Sequence, residues 1–378
     1  MRSTHTAYWY ANPDARRWQT AAPASALPFH RTLAGYSATP LTELPSLATE
    51  LGVGRVFLKD ESNRLGLPAF KILGASWAVC RALCERQGLD AGTMTVPELR
   101  GHLHSGADAG SLPVLVTATD GNHGRAVSRM AALLGLSARI YIPNGLSAAA
   151  VDAIRGEGAE LVEVDAIYDD VVAAAAASTA GSGRDVLIQD TAWAGYTDIP
   201  RWIVDGYTTL FAEIDGSLAQ SGHAGADLVA CPVGVGSLAH AMVDHYRNPG
   251  TSAPSLLSVE PETAACIAQS LRAGEPVVVD TSFPTIMSGL NCGTPSELGW
   301  PSLLAGLDGA VSVSEEDCRQ AVLDLGDLGQ DAGPCGASTL AGVRAALADS
   351  ERRRQLGITQ DSVIVLVSTE GLAANPLR

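Results

Sequence analysis

The chain has 378 residues, 46% of them hydrophobic, enough to bury two cores without a structural metal or disulfide staples. Its 25 Lys and Arg against 41 Asp and Glu give a formal charge of −16, which repels polyphosphates and anionic lipid surfaces, so nucleic acid and membrane are excluded as expected partners. The seven cysteines (Cys80, Cys84, Cys231, Cys266, Cys292, Cys318 and Cys335) are odd in number and show no CxxC pair or metal-ligand spacing. They read as reduced, cytoplasmic thiols. Cys266 and Cys292 could meet in space, but small buried hydrophobes are the simpler reading. No continuous apolar h-region follows Arg2, Arg16 and Arg17, so the chain reads as soluble, without a targeting segment.

In chain order, Tyr36 to Leu44 is a turn-rich lead-in and Arg55 to Lys59 a strand. Phe70 to Glu85 carries Ile72, Leu73, Trp77, Val79, Cys80, Leu83 and Cys84 at mixed three- and four-residue spacing, which predicts a helix. Gly92 to Pro113 is polar and is expected to be a surface excursion or domain crossing. Four short apolar runs follow, Val114 to Ala118, Ala138 to Ile142, Glu160 to Val164 and Val186 to Ile188. Helical stretches such as Arg125 to Leu134 and Asp169 to Ala177 separate them, a pattern that predicts a parallel sheet covered on both faces. A second α/β run opens at Asp227, continues through Leu256 to Glu260 and closes with Ser362 to Ser368. The expected organisation is a large domain of residues 1–90 and 205–378 and a small one of 91–204.

Three segments could carry chemistry. Lys71 sits in PAFKILGAS at the start of an apolar helix, where desolvation lowers an amine's pKa and favours Schiff-base formation, although most lysines are plain surface charges. TATDGNHGRAVS joins a strand to a helix start through a glycine-bearing turn that presents backbone donors. The plainer account is a βα turn with Asp120 as N-cap. His123 alone reads as structural, since the other histidines form no ligand set with it. In PVGVGSLAHA, Gly234-x-Gly236 lets main chain approach a phosphate closely. Its spacing to Ala239, with Glu260 after the next strand, also mimics a dinucleotide fingerprint, so a nucleotide-binding oxidoreductase is a distant alternative.

Taken in order, AFKILGAS, TATDGNHGRAV, IQDTAWAGYTDIPRWIVDGY, PVGVGS, SVEPETAACI, TIMSGLNCGTPSELGW and VSTEG resemble the fold-type II, tryptophan synthase β-like, pyridoxal-phosphate enzymes, and within them the diaminopropionate ammonia-lyase family. The resemblance covers nearly the whole chain. It implies an α/β fold of two open, mainly parallel-sheet domains with pyridoxal 5′-phosphate in the cleft between them, and a homodimer. Lys71 would form the Schiff base and Phe70 lie near the ring face. Asn122 would bond the cofactor's 3′-oxygen, and the main chain of Gly234, Val235, Gly236, Ser237 and Leu238 would cradle its phosphate. Thr369 would put a neutral hydroxyl opposite the pyridine nitrogen, leaving it largely unprotonated and favouring elimination.

Asp120 stands where hydroxyamino-acid dehydratases of this group carry a small hydroxyl residue, and Asp190 is a second carboxylate at a strand end. Either can pair with a substrate ammonium or accept a proton. The resemblance therefore implies a diamino acid as substrate, with Lys71 or, for the opposite stereoisomer, Asp120 as base. Two stretches depart from the family pattern. Gly333-Pro334-Cys335-Gly336-Ala337 lacks a glutamate just before its Gly-Ala ending, and Gly371-Leu372-Ala373-Ala374 lacks an acidic pair. A related β-elimination or β-replacement on another β-substituted amino acid is the alternative, and a cofactor-binding protein without turnover is a third reading.

Overall fold

The structure is a computed structural model and describes residues 8–119 and 121–377. The chain divides into two compact units, one of Met1–Ala24, Ala38–Phe70 and Leu210–Arg378, the other of Ser25–Ser37 and Lys71–Thr209.

The first unit is built on a seven-stranded sheet. Its strands are β1 (Trp9–Ala11), β2 (Leu41–Glu43), β3 (Arg55–Asp60), β8 (Leu228–Pro232), β9 (Ser255–Pro261), β10 (Gly309–Val313) and β11 (Val363–Ser368), in the order β1-β10-β9-β8-β11-β3-β2. The short edge strands β1 and β2 run antiparallel to their neighbours and the remaining pairings are parallel. Strands β8 and β9 are buried along their whole length, as a parallel sheet covered on both faces requires. Val56, Leu58, Leu257, Val259, Ile364 and Leu366 form a core with Ala337, Leu340 and Val343 of the helix Pro334–Leu347. A Cβ on Gly342 would lie 2.5 Å from Val259, so the glycine lets this helix sit directly on β9.

The second unit holds the all-parallel sheet β6-β5-β4-β7, from β4 (Val114–Ala118), β5 (Ser137–Pro143), β6 (Glu160–Val164) and β7 (Asp185–Leu187). Val114, Val116 and Ala118 pack on Val171 and Ala175. The helix Ile72–Gln87 is buried along most of its length and ends at Gly88, whose left-handed φ of 66° suits a glycine C-cap. The helix Asp198–Gln220 belongs to this unit through Thr209 and to the first unit beyond it.

These are the two mainly parallel α/β units that the alternation of apolar and helical runs predicts. One segment differs. Gly92 to Pro113 contains a helix, Val96–His104, started by a capping box in which Thr95 and Glu98 satisfy each other's backbone amides. Among the described residues no helix is long and apolar enough to cross a membrane, and no group of His, Cys, Asp and Glu could hold a metal ion.

A buried ion cluster sits in the first unit. Lys59 Nζ donates to Glu213 Oε2 at 2.6 Å, and Arg64 bridges Glu213 (2.7 Å) and Glu61 (2.6 Å), all four side chains being nearly inaccessible. Thr39 joins them, its hydroxyl donating to Glu61 at 2.6 Å and its carbonyl accepting from Lys59 at 2.8 Å. Burial pushes the Glu213 carboxyl up, but the hydrogen bonds and charge of Arg64, with those of Lys59, pull it further down, to about 2. A carboxyl depressed on folding stabilises the fold fully above its unfolded pKa of about 4.3 and loses that contribution as pH falls toward 2, an effect of about 3 kcal/mol. Glu213→Gln, which leaves two buried cations short of one anion, is expected to cost about 3–5 kcal/mol at neutral pH. Urea melts between pH 7 and 2.5 should show the variant losing less additional stability on acidification than the parent.

Candidate active site

Lys71 begins the helix Ile72–Gln87, at its N-cap position. The residue before it is fixed by main-chain bonds. Phe70 N donates to Thr369 O at 3.2 Å, Gly371 N to Pro68 O at 3.1 Å, and Ala69 pairs with Glu370 in an antiparallel bridge. Phe70 and Thr369 are thus neighbours in the first unit, both buried, at the end of β11.

Within the second unit, Lys71 Nζ donates to Asp190 Oδ2 at 2.9 Å. Asp190 is held in turn by its neighbour. Gln189 accepts from Thr117 Oγ1 and Ala118 N, both at 3.0 Å, and its Nε2 donates to Asp190 Oδ1 at 3.3 Å. The carboxylate is therefore tied to the end of β4. His123 donates through Nε2 to Ile188 O at 2.7 Å, which leaves Nδ1 turned toward Asp190 Oδ2 at 3.9 Å. Burial alone would push the Asp190 carboxyl up, but Lys71 and His123 hold it far below the ordinary carboxylate range. Asp190 is thus an anion whose charge state depends on the amine beside it.

The turn ahead of the helix Asn122–Leu134 is organised by Thr119. Its Oγ1 accepts from Gly121 N at 3.0 Å and Gly124 N at 3.1 Å, and a Cβ on Gly124 would lie 2.3 Å from the threonine methyl. Gly121, with φ 157°, precedes the helix, and Asn122 opens it, partly exposed. Asp120 lies outside the described residues.

In the first unit, the turn Gly234-Val235-Gly236 leads from β8 into the helix Ser237–Tyr246. Gly236 has a φ of 101°, where a Cβ would also strike Leu303 at 2.7 Å, and a Cβ on Gly234 would meet Cys292 Sγ at 2.9 Å and Gly289 O at 3.1 Å. Only glycine fits both positions. No side chain caps this helix, and the first amides of a ten-residue helix point out of its start. Gly234, Val235 and Ser237 are partly exposed while Leu238 is buried. That arrangement suits a bound phosphate, taken by backbone donors and the helix dipole whatever the net charge.

The rival dinucleotide reading fails on Glu260. Its buried carboxylate accepts from Ile267 N and Ala268 N, each at 2.7 Å, and caps the helix Cys266–Ala273 instead of facing a ribose. All seven cysteines are free thiols; Cys266 is buried with its Sγ 3.7 Å from Gly234 O.

Sequence reasoning passed over Tyr207, Thr119 and Gln189. Tyr207 is fully buried on the helix Asp198–Gln220, its ring centroid 5.9 Å from Lys71 Nζ. Burial pushes its phenol up to about 12, against the pull of the Lys71 charge and of a polar contact with that amine. The contact joins residues far apart in sequence, so no local pattern announces it.

Comparison with known proteins agrees with this chemistry. A family model described as "Pyridoxal-phosphate dependent enzyme" matches residues 32–370. Diaminopropionate ammonia-lyase of Escherichia coli (strain K12) is 36% identical over 355 residues, 91% of this chain and 86% of that protein. The crystal structure of the holo form of the Escherichia coli diaminopropionate ammonia lyase superposes with a TM-score of 0.86 at 33% identity, covering 97% of this chain and 94% of that one. Its complex with an aminoacrylate-PLP azomethine reaction intermediate gives 0.83 at 32% identity, with the same coverage of both chains. The chain therefore belongs to the pyridoxal-phosphate dependent enzymes and, within them, to the diaminopropionate ammonia-lyase family.

Proposed function

We propose that this chain is a pyridoxal-phosphate dependent lyase that eliminates ammonia from 2,3-diaminopropionate, releasing pyruvate and a second ammonia. The observation that carries this reading is the Lys71 amine, at the start of an apolar helix, paired with Asp190 at 2.9 Å in a chain whose 36%-identical relative is named for that reaction.

The residues present fit the cofactor. Lys71 would hold its aldehyde carbon, Phe70 would lie near the ring, Asn122 would bond the 3′-oxygen and Thr369 would face the pyridine nitrogen. The main chain of Gly234 to Leu238 would hold the phosphate, in a turn where any Cβ at Gly234 or Gly236 would intrude. When bound, the cofactor supplies an electron sink for the substrate's α-carbon.

The chain supplies the proton handling and charge placement. Lys71, when not joined to the cofactor, would serve as the base for one stereoisomer. Asp120 is proposed for the other, on the strength of its place in the family motif. Asp190, kept ionised by its neighbours, serves better as a counter-charge than as a proton donor. As the charge on Lys71 changes through the cycle, the carboxylate becomes available to a substrate ammonium. A diamino acid suits a protein of formal charge −16, since its extra ammonium is drawn toward an anionic surface. A cytoplasmic homodimer completes the proposal: free thiols suit a reducing compartment, and light scattering of the purified protein tests the assembly.

Purified protein is expected to show a visible cofactor band that Lys71→Ala abolishes, and to release pyruvate from D- or L-diaminopropionate faster than from serine, threonine or β-chloroalanine. An intact band with no pyruvate from either diaminopropionate isomer would overturn the substrate assignment. Gly236→Ala, which forces a side chain onto a left-handed φ and into Leu303, is expected to weaken cofactor retention by about tenfold or more, read by equilibrium dialysis against pyridoxal phosphate.

A further inference from the structure

Two glycines and a histidine bring Tyr207 to Lys71. A Cβ on Gly206 would lie 2.5 Å from Leu73 O, and one on Gly74 would lie 2.5 Å from Tyr207 Cε1 and 2.7 Å from Ile203 Cγ2. The missing side chains let the helix Asp198–Gln220 press its Tyr207 turn against the first turns of the helix Ile72–Gln87. Buried His30 ties the two together, its Nε2 bonding Leu73 O at 2.9 Å and its Nδ1 bonding Thr209 Oγ1 at 2.7 Å. Leu73 and Thr209 each stand two residues beyond Lys71 and Tyr207, so the clamp sets the level at which those side chains meet. Tyr207 is fully buried, with one edge of its ring against Gly74.

We propose that Tyr207 is the positioning residue of Lys71: its hydroxyl accepts a hydrogen bond from the Lys71 ammonium and, with Asp190, fixes Nζ whenever the amine is not joined to the cofactor. This rests on Lys71 being the cofactor's lysine. A lysine side chain has four rotatable bonds and loses rotamer entropy when held. One anchor at Asp190 leaves Nζ free to pivot about that contact, and a second partner on another element removes the pivot. Misplacing a reacting group by about 1 Å can cost about a hundredfold in rate, so the second anchor acts on the chemical step more than on binding. The groups facing Nζ divide the work. Asp190 supplies negative charge, His123 stands behind it at 3.9 Å, and Tyr207 adds a neutral acceptor that stays protonated through the physiological range. A second carboxylate in its place would bind the ammonium more tightly and leave less of the amine unprotonated to act as the base.

Tyr207→Phe keeps the ring against Gly74 and removes only the oxygen. In the holoenzyme it is expected to leave the visible band and the melting temperature nearly unchanged. We expect kcat to fall about tenfold with KM within about threefold, the signature of a contact used in the chemical step. The acid limb of the kcat profile should move down by about one pH unit, because an ammonium that has lost an acceptor releases its proton more readily. After a single turnover the lysine-bound band should return more slowly by a factor similar to the fall in kcat. Purely structural packing would lower the melting temperature and leave the acid limb in place, which overturns the inference. A rise in KM at constant kcat also overturns it, because the hydroxyl would then be touching substrate. Should the parent protein show no Lys71-dependent band at all, the functional reading fails; an intact band in a parent and variant that behave alike sinks the positioning role alone.

Discussion

A partly covered ammonium at the start of an apolar helix is unfavourable until an anion meets it, and the contact between Lys71 and Asp190 at 2.9 Å supplies that anion. Much of the second unit serves to hold the carboxylate still. Gln189 pins it to the end of β4, β4 is the buried centre of the parallel sheet, and His123 is oriented by the Ile188 carbonyl, two residues before the aspartate. The charge state of Asp190 is therefore a property of its environment. Removing or neutralising the amine relaxes the main force that keeps it ionised.

The first unit presents backbone donors at a helix start, an arrangement that would suit an anion even on a protein of strongly negative formal charge. A parallel sheet sends its strands toward helix starts at one end, and the glycine turn after β8 strips that approach of side chains. Long-range repulsion from a charge of −16 is screened over about 10 Å, whereas amides at a helix start act in direct contact. The same end of the sheet carries Thr369, just past β11, where main-chain bonds tie it to Phe70.

Strands were legible wherever burial on both faces leaves an uninterrupted apolar run, as in Val114 to Ala118 and Leu228 to Pro232. The helix Val96–His104 went unread although its Thr95 and Glu98 capping pair was readable, because its apolar stripe is only three side chains long, buried Val96, Leu99 and Leu103, set among polar residues. Ordered motifs pointed to Lys71, Asp190 and the glycine turn, since each of those chemistries needs a particular residue in a particular local setting. The dinucleotide mimicry of Gly234 to Glu260 shows where such reading ends. The spacing is genuine, and only the direction of the Glu260 carboxylate, onto the amides of Ile267 and Ala268, separates the two meanings. Tyr207 was invisible for the complementary reason: its place beside Lys71 arises from glycines on two helices and from His30, none of which means anything until the helices are packed.

The buried cluster of Lys59, Glu61, Arg64 and Glu213 belongs to the same logic. Replacing such a group by well-packed hydrophobic residues is often neutral or stabilising, so stability alone is a weak reason to keep it. Directionality is a better one. Glu61 and Arg64 lie on the segment that runs from β3 to Lys71, and that segment includes Leu65, whose φ of 54° is costly for a branched side chain. Apolar contacts would tolerate sliding of this loop, whereas ion pairs with fixed donor and acceptor directions hold one register. At its far end Phe70 is bonded to the Thr369 carbonyl, one peptide before Lys71. The ionic cluster at one end and the Phe70–Thr369 bond at the other thus hold this loop in one register within the first unit, up to the residue before Lys71.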